Sequence, residues 1–446
     1  MSSFNKTAAE IAALQAGTNY TLIAEIYKGH EQWSPQAMYS GEIPNIVFNA
    51  IAMSVFFVFF FWQLFFYIKF RNSTYGITTL LHLIGQAIGY LGRLLSVANI
   101  SGLSLNNKNY FLLQFCCLTI SPNFYNAAVY SEYRNIIYTY GTSKEKVSKL
   151  SVFGKSFQPL LLSSCFIISD ITCLVIQGLG GGVEGTSVTS SNASGLKAGN
   201  NIFIAGLACQ TFSMSFFAIV YLKLCYNIFI RQRLEFVQAN NLHEKYNIPT
   251  SYSAGKSFFA PWRWYKIINS VPFENIDSKV INLDTSRFTS YQKKLFDTYP
   301  AAIFVAFGLA VIRCIYRLIE LADNGFNGFL ITHEHYLVSL DFVPLSLSGL
   351  IMCIYTQGLV YNKNGLKDLD SIRKASYRGL GTWAELAIEL RYFFGLKVDE
   401  EKLDNDYKIK LFQEDESKFY VENSETVSLK DEITDNADNS KKLNFV

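Results

Sequence analysis

The chain has 446 residues, of which 50% are hydrophobic and only 17% charged, with a formal net charge of +3. A soluble protein of this length would form two or three domains with charged surfaces, which this composition does not supply. Instead the apolar residues fall in blocks of about 20, the length a helix needs to cross a bilayer.

Residues 1–45 are polar and are expected to form an extracellular tail. No cleavable signal peptide is expected, because the first apolar block is long enough to span rather than be removed. Seven spans are predicted, at 46–68, 76–98, 110–130, 158–180, 200–224, 299–321 and 336–360. The fold class is therefore all-α, a polytopic membrane protein with seven transmembrane helices. The first span, with "VFFVFFFWQLFFYI", reads as lipid-facing and packing surface. In the second, Gly85 and Gly89 form a small-xxx-small pattern suited to helix packing, and Arg93 lies near the end. Pro122 in the third and Pro344 in the seventh are expected to kink their helices. The fourth carries Asp170 and Gln177 and runs into "QGLGGGVEG" (177–185). Its glycines suit close approach to a headgroup or another helix, and equally a flexible exit into a Ser/Thr/Gly-rich loop.

Between spans five and six lies a long loop, 231–298, in which "FFAPWRWYKII" (258–268) suits the membrane surface. "SAGKS" (253–257) resembles a phosphate loop but has Thr250 where the first glycine belongs, and nothing strand-like surrounds it. The tail from 361 is too polar at its end to bury a core, although "TWAELAIELRYFFGL" (382–396) suits an interfacial helix. Seventeen Lys and Arg fall in the loops on one side of the seven spans and two in the loops on the other. By the positive-inside rule this places the N-terminus outside and the C-terminus in the cytoplasm. Sequons at Asn5, Asn19, Asn99 and Asn192 then lie outside and one at Asn72 inside, so Asn5, Asn19 and Asn192 are glycosylation candidates. All eight cysteines lie within or at the ends of spans, against a disulfide framework and against a Cys-rich zinc site. "THEH" (332–335) offers alternating ligands without a third, so neither a metal site nor enzymatic activity is expected, and no cofactor.

The charges inside the spans carry the functional argument. Arg313, Tyr316, Arg317 and Glu320 are spaced i, i+3, i+4 and i+7 and share one helix face. Intramembrane charges face the protein interior or a watery cavity and mark function; the bland reading is a set of interhelical salt bridges. By a rise of 1.5 Å per residue, Arg317 and Arg313 lie ~6 and ~12 Å below the outer end of their span, Asp341 ~9 Å, Arg93 ~7 Å and Asp170 ~15 Å. Three arginines therefore face Asp170, Asp341 and Glu320 in a neutral cluster, which costs less to bury than any unpaired member. The expectation is one polar cavity in the outer leaflet, with Glu334 at its rim, where a cationic amphiphile takes a carboxylate from an arginine.

Gly89-Tyr90-x-x-Arg93, Ser121-Pro122 with Tyr130, Asp170 with Gln177 and Gly180–Gly182, "GNNIFIAGLACQ" (199–210), Arg313-x-x-Tyr316-Arg317-x-x-Glu320 and "LITHEHYLVSLD" (330–341) together resemble the fungal lipid-translocating exporter family, the 7-aminocholesterol-resistance family. The likeness runs from Pro44 to Tyr361. It implies a seven-span plasma-membrane protein that exports or translocates sphingoid long-chain bases and gives resistance to toxic lipids. Its partners would be membrane lipids and sphingoid bases, with no nucleic acid. Two features depart from that family: Gln86 stands where an acidic residue is usual, and the loop 231–298 is long. A seven-span lipid sensor shares the same topology and charges and is the alternative.

Overall fold

The computed structural model describes residues 45–71, 73–98, 107–140, 150–152, 155–157, 159–189, 193–250, 252, 257–258, 260–271, 283, 285–322, 330, 334–376 and 382–394. In chain order these form α1 (Ile46–Phe70), α2 (Ser73–Ala98), α3 (Asn107–Tyr140), β1 (Leu150–Val152), β2 (Lys155–Phe157), α4 (Pro159–Thr189), α5 (Ala193–Tyr226), α6 (Gln232–Ala239), α7 (Pro261–Ser270), α8 (Ser290–Ala322), α9 (Glu334–Leu337), α10 (Val343–Ile354), α11 (Gln357–Ser376) and α12 (Thr382–Phe394). Helices thus cover every predicted apolar block. Among the described residues the one departure from helix and connecting turns is the antiparallel β1–β2 hairpin, with Leu150 opposite Phe157 and Val152 opposite Lys155. Two compact units are present, 1–369 and 370–446. The candidate glycosylation residues Asn5, Asn19 and Asn192 lie outside the described residues, as does the side chain of Glu334.

Among the described residues five stretches are long and apolar enough to cross a membrane: Ile46–Phe70, Leu160–Val183, Ser194–Ala239, Ser290–Ala322 and His335–Ile372. α2 and α3 are as long but more polar, and their polar side chains are turned inward: Thr79, His82, Gln86 and Arg93 on α2, and Gln114, Ser121, Asn126, Glu132 and Asn135 on α3, are all buried. By contrast Val58, Phe61, Leu179, Phe212 and Ile219 are exposed. This inside-out distribution is what a lipid solvent requires, since apolar side chains gain nothing by hiding from hydrocarbon. It also explains how α2 and α3 can be the less hydrophobic helices.

Local signals start and stop the helices. Asn45 caps α1, its Oδ1 accepting from Val47 N at 2.8 Å and Phe48 N at 3.2 Å, which satisfies two of the donors a helix start leaves open. α11 breaks at Asn362, whose φ of 59° is left-handed, close to where the sequence turns polar. α5 runs through a wide turn, Asn227–Arg231, into α6. There Ile230, Leu234 and Val237 share a small core with Ile248, Ile267 and Val271. Part of the 231–298 loop is therefore folded onto the end of α5, with Trp262 and Tyr265 of α7 left exposed.

Small residues set the helix contacts. A Cβ on Gly85 would lie 2.7 Å from Ser121 Cβ and one on Gly89 2.6 Å from Leu118 Cδ2, so this face of α2 sits directly on α3. In "GLGGG" the helix continues, and the close approach is to another helix: a Cβ on Gly180 would meet Phe203 N of α5 at 2.5 Å, whereas Gly182 has nothing within 4 Å. Gly180→Leu is therefore expected to cost about 1–3 kcal/mol by overpacking, and Gly182→Leu close to nothing. Thermal unfolding of the two variants in detergent checks the contrast; equal midpoints would show that α4 and α5 do not touch here.

Candidate functional site

The site is built on α3, α8 and the start of the last predicted span. On α8, Arg313, Tyr316, Arg317 and Glu320 do share one face, and Arg313, Tyr316 and Glu320 are buried. Facing them is Asp341, fully buried in a single wide turn, Val338–Phe342, between α9 and α10. Such turns arise where the regular ladder is interrupted. Here Pro344 interrupts it, since it has no N–H for the carbonyl four residues earlier and its ring crowds that carbonyl.

Both arginines hold the same carboxylate. Arg313 Nε donates to Asp341 Oδ1 at 2.7 Å, while Arg317 donates from Nε to Oδ1 at 3.2 Å and from Nη2 to Oδ2 at 3.3 Å. Arg317 Nη1 also donates to Glu320 Oε2 at 2.8 Å, and Tyr316 Oη donates to Glu320 Oε1 at 2.9 Å. Two positive and two negative groups thus cancel inside the bundle, the arrangement in which burying charge costs least. Arg317 is the accessible member, with 21% of its side chain exposed.

Arg313 has one further anchor, and the sequence supplies it. Pro122 lacks the N–H that would bond the carbonyl of Leu118, and Arg313 Nη2 donates to that carbonyl at 2.9 Å. The same device recurs on α8 itself: Pro300 frees the carbonyl of Phe296, and Tyr140 Oη donates to it at 2.8 Å. A freed backbone carbonyl in an apolar medium must find a donor from a neighbouring helix. Pro122, where a kink was expected, and Pro300 thus each open a docking point for a side chain of another helix.

The single cluster expected from depth divides into parts. Arg93 is buried on α2, and it, Arg313, Arg317 and Asp341 all lie within electrostatic reach of Tyr90. Tyr90 in turn packs against Phe56 and Phe342 at ring distances of 5.7 and 5.9 Å. Asp170, by contrast, is not held by an arginine. Its Oδ2 accepts from Tyr130 Oη at 3.0 Å and from Asn126 Nδ2 at 3.2 Å. These α3 residues lie 8–12 positions beyond Leu118, ~12–18 Å along the helix at 1.5 Å per residue, so Asp170 and Arg313 meet α3 at different levels. Gln177 belongs to an amide chain, donating to Gln210 Oε1 at 2.7 Å, with Gln210 donating onward to Asn123.

One buried acid escaped the sequence reading. Glu132, in "SEYRN", is fully buried. It accepts from Tyr299 Oη at 2.7 Å, Asn135 Nδ2 at 3.0 Å and Gln357 Nε2 at 2.7 Å, tying α3 to α8 and α11. Tyr299 and Arg313 are 14 residues apart on α8, ~21 Å by helix rise. A second polar knot therefore closes the end of the bundle opposite the arginines.

Fold and site together define a multi-pass membrane protein that keeps a neutral four-charge network between its helices. The chain belongs to the RTA1 like protein family, whose pattern matches residues 79–364 and so contains the whole network. It is 28% identical over 351 residues to the sphingoid long-chain base transporter RSB1 of Saccharomyces cerevisiae, covering 77% of this chain and 80% of that protein. Protoporphyrin uptake protein 1 of the same yeast is 22% identical over 264 residues, 59% of this chain and 62% of its own length. Protein RTM1 is 22% identical over 274 residues, 61% and 63% respectively. No solved structure matches the chain.

Proposed function

We propose that this protein translocates sphingoid long-chain bases outward across the plasma membrane, without chemical conversion, and so protects the cell from toxic lipid amines. The observation that carries the reading is the Arg313–Asp341–Arg317–Glu320 network, which lies within a chain similar over most of its length to a protein named for sphingoid base transport. In this reading seven helices between 46 and 360 span the bilayer. The N-terminal tail is outside, with glycans at Asn5, Asn19 and Asn192, and the tail from 361 is cytoplasmic.

Arg93, Asp170, Gln177, Arg313, Tyr316, Arg317, Glu320, Glu334 and Asp341 form or gate the route. Asp341 is a poor first acceptor for an incoming amine, because two arginines would have to leave it together. Glu320 is a better one. An ammonium that takes Glu320 from Arg317 leaves Arg317 still bonded to Asp341, so no arginine is stranded in hydrocarbon at any step. With the ammonium bound the network holds three positive and two negative groups, the excess being shared between the two guanidinium groups and the ligand, so the bound arrangement is a distinct second state that ligand biases.

The test is purified protein in liposomes with a fluorescent sphingoid base, following its movement between leaflets. Protein-dependent movement is expected. Arg317→Ala, which leaves the Arg313–Asp341 pair in place, should slow it by about tenfold or more, the equivalent of one charge-assisted hydrogen bond. Movement that is equal with and without protein would overturn the reading.

A further inference from the structure

Asp170 is 3% exposed, and while its Oδ2 takes two hydrogen bonds, its Oδ1 is buried and accepts none. The groups around it are neutral side chains from each neighbouring helix: Tyr130 and Asn126 of α3, Cys173 of α4 itself and Cys314 of α8. Asn126 also donates to Met214 Sδ of α5 at 3.3 Å. An intramembrane carboxylate with one bare oxygen is costly unless something positive joins it.

Beside it lies a groove of about 660 Å³ between α4 and α5, lined by Leu162, Phe166, Ser169, Cys209, Phe212 and Phe216 among others. This volume falls within the ~300–1,000 Å³ typical of small-ligand sites. Asp170 is not itself in the lining, but two lining residues adjoin it. Ser169 precedes Asp170 in the chain, and the Phe166 ring packs on Tyr130 at 5.7 Å, the residue whose hydroxyl holds Asp170. Phe217 stands edge-on to the same tyrosine at 4.5 Å, so the hydroxyl that holds Asp170 belongs to a ring fixed between two phenylalanines. Phe212 and Cys209 are exposed, which leaves the groove open at the lipid-facing surface.

We propose that Asp170 and the α4/α5 groove form a binding site for a single-chain lipid amine, the ammonium on Asp170 Oδ1 and the alkyl chain along the groove. The site deepens the transport reading and rests on it for the choice of a lipid as the source of the amine. Asp170 offers a cationic head a buried acid with no arginine to displace, and the trough next to it suits a single chain. A double-chain lipid would need a wider one.

The experiment uses the full chain in nanodiscs, a long-chain alkylamine carrying a photoactivatable group on its chain, and the matching alcohol. Labelled peptides are identified by mass spectrometry. The amine is expected to label the α4 and α5 segments lining the groove about tenfold more than the alcohol, as one charge-assisted bond implies. An unlabelled long-chain amine should compete and a short alkylamine should not. Asp170→Asn should abolish the preference for the amine. Cys209→Trp, which fills the groove away from the carboxylate, should reduce labelling by the amine without lowering the thermal midpoint. Equal labelling by amine and alcohol, labelling spread evenly over all lipid-facing helices, or a preference that survives Asp170→Asn would each overturn the site. Movement of a fluorescent sphingoid base is measured on the same preparation. Transport without selective labelling removes this site and spares the transport reading; selective labelling without transport does the reverse.

Discussion

Asp341→Asn is expected to destabilise the folded protein by about 3–5 kcal/mol, the cost of breaking a buried ion pair by removing one partner. Asp341 is fully buried and receives Arg313 and Arg317 together. Its amide replacement carries no charge and turns an N–H₂ group towards one of the two guanidinium groups. Among the described residues Glu320 bonds to Arg317 and Tyr316 alone, so it does not neutralise Arg313 without a rearrangement. Arg313 keeps the Leu118 carbonyl at 2.9 Å, which satisfies one N–H and none of the charge. The double variant Arg313→Gln/Asp341→Asn removes one charge of each sign and should recover much of the loss, because the remaining Arg317–Glu320 pair is neutral. Unfolding of the wild type and both variants in detergent is the measurement. If Asp341→Asn matches the wild type, the arginines have another counter-charge and the network described here is wrong. If the double variant is no better than the single one, the loss comes from packing at the wide turn and not from charge.

Glu132→Ala is expected to cost about 3 kcal/mol or more, since a buried donor left without its acceptor costs about 1–3 kcal/mol and such terms do not simply add. Tyr299 and Asn135 lose the oxygens they donate to, and Gln357 loses one. Glu132→Gln is the informative companion. Every partner is a donor, so a carboxylate satisfies all three, whereas an amide offers one oxygen and turns its own N–H₂ towards a donor. Stability should therefore fall in the order Glu, Gln, Ala. A Gln variant as stable as wild type would mean either that Tyr299 turns its hydroxyl to accept from the amide or that the acid is already a donor. If Ala were equally stable, the knot would not hold α3, α8 and α11 together.

Membrane residence was legible because burial in lipid demands blocks of about 20 apolar residues, and helices occupy all of the predicted ones. The shared face of Arg313, Tyr316, Arg317 and Glu320 was legible as well, because the 3.6-residue period alone places i, i+3, i+4 and i+7 together. Pro122 and Pro344 announced interruptions in the same way, as did Gly85 and Gly89 a close helix contact. The resemblance pointed to the family before any geometry was known. Glu132 was missed because "SEYRN" reads as the polar inner end of a span. The one hint was Asn135, three residues further on and therefore a neighbour on the same helix face.

The amino-acid order by itself determined which residues lie on one helix, which of them share a face, and which backbone carbonyls lack a donor. These follow from local bond geometry and the missing N–H of proline. Only the tertiary structure decided that Arg313 takes the Leu118 carbonyl, that both arginines converge on Asp341, and that Asp170 faces Tyr130 and Asn126 instead. Depth estimates put all the charges within one turn or two of each other, but a buried charge pairs with whatever the adjacent helix presents at its own level and azimuth. Those are set by how the glycine faces of α2 and α4 seat against α3 and α5, a property of surfaces meeting rather than of any one segment.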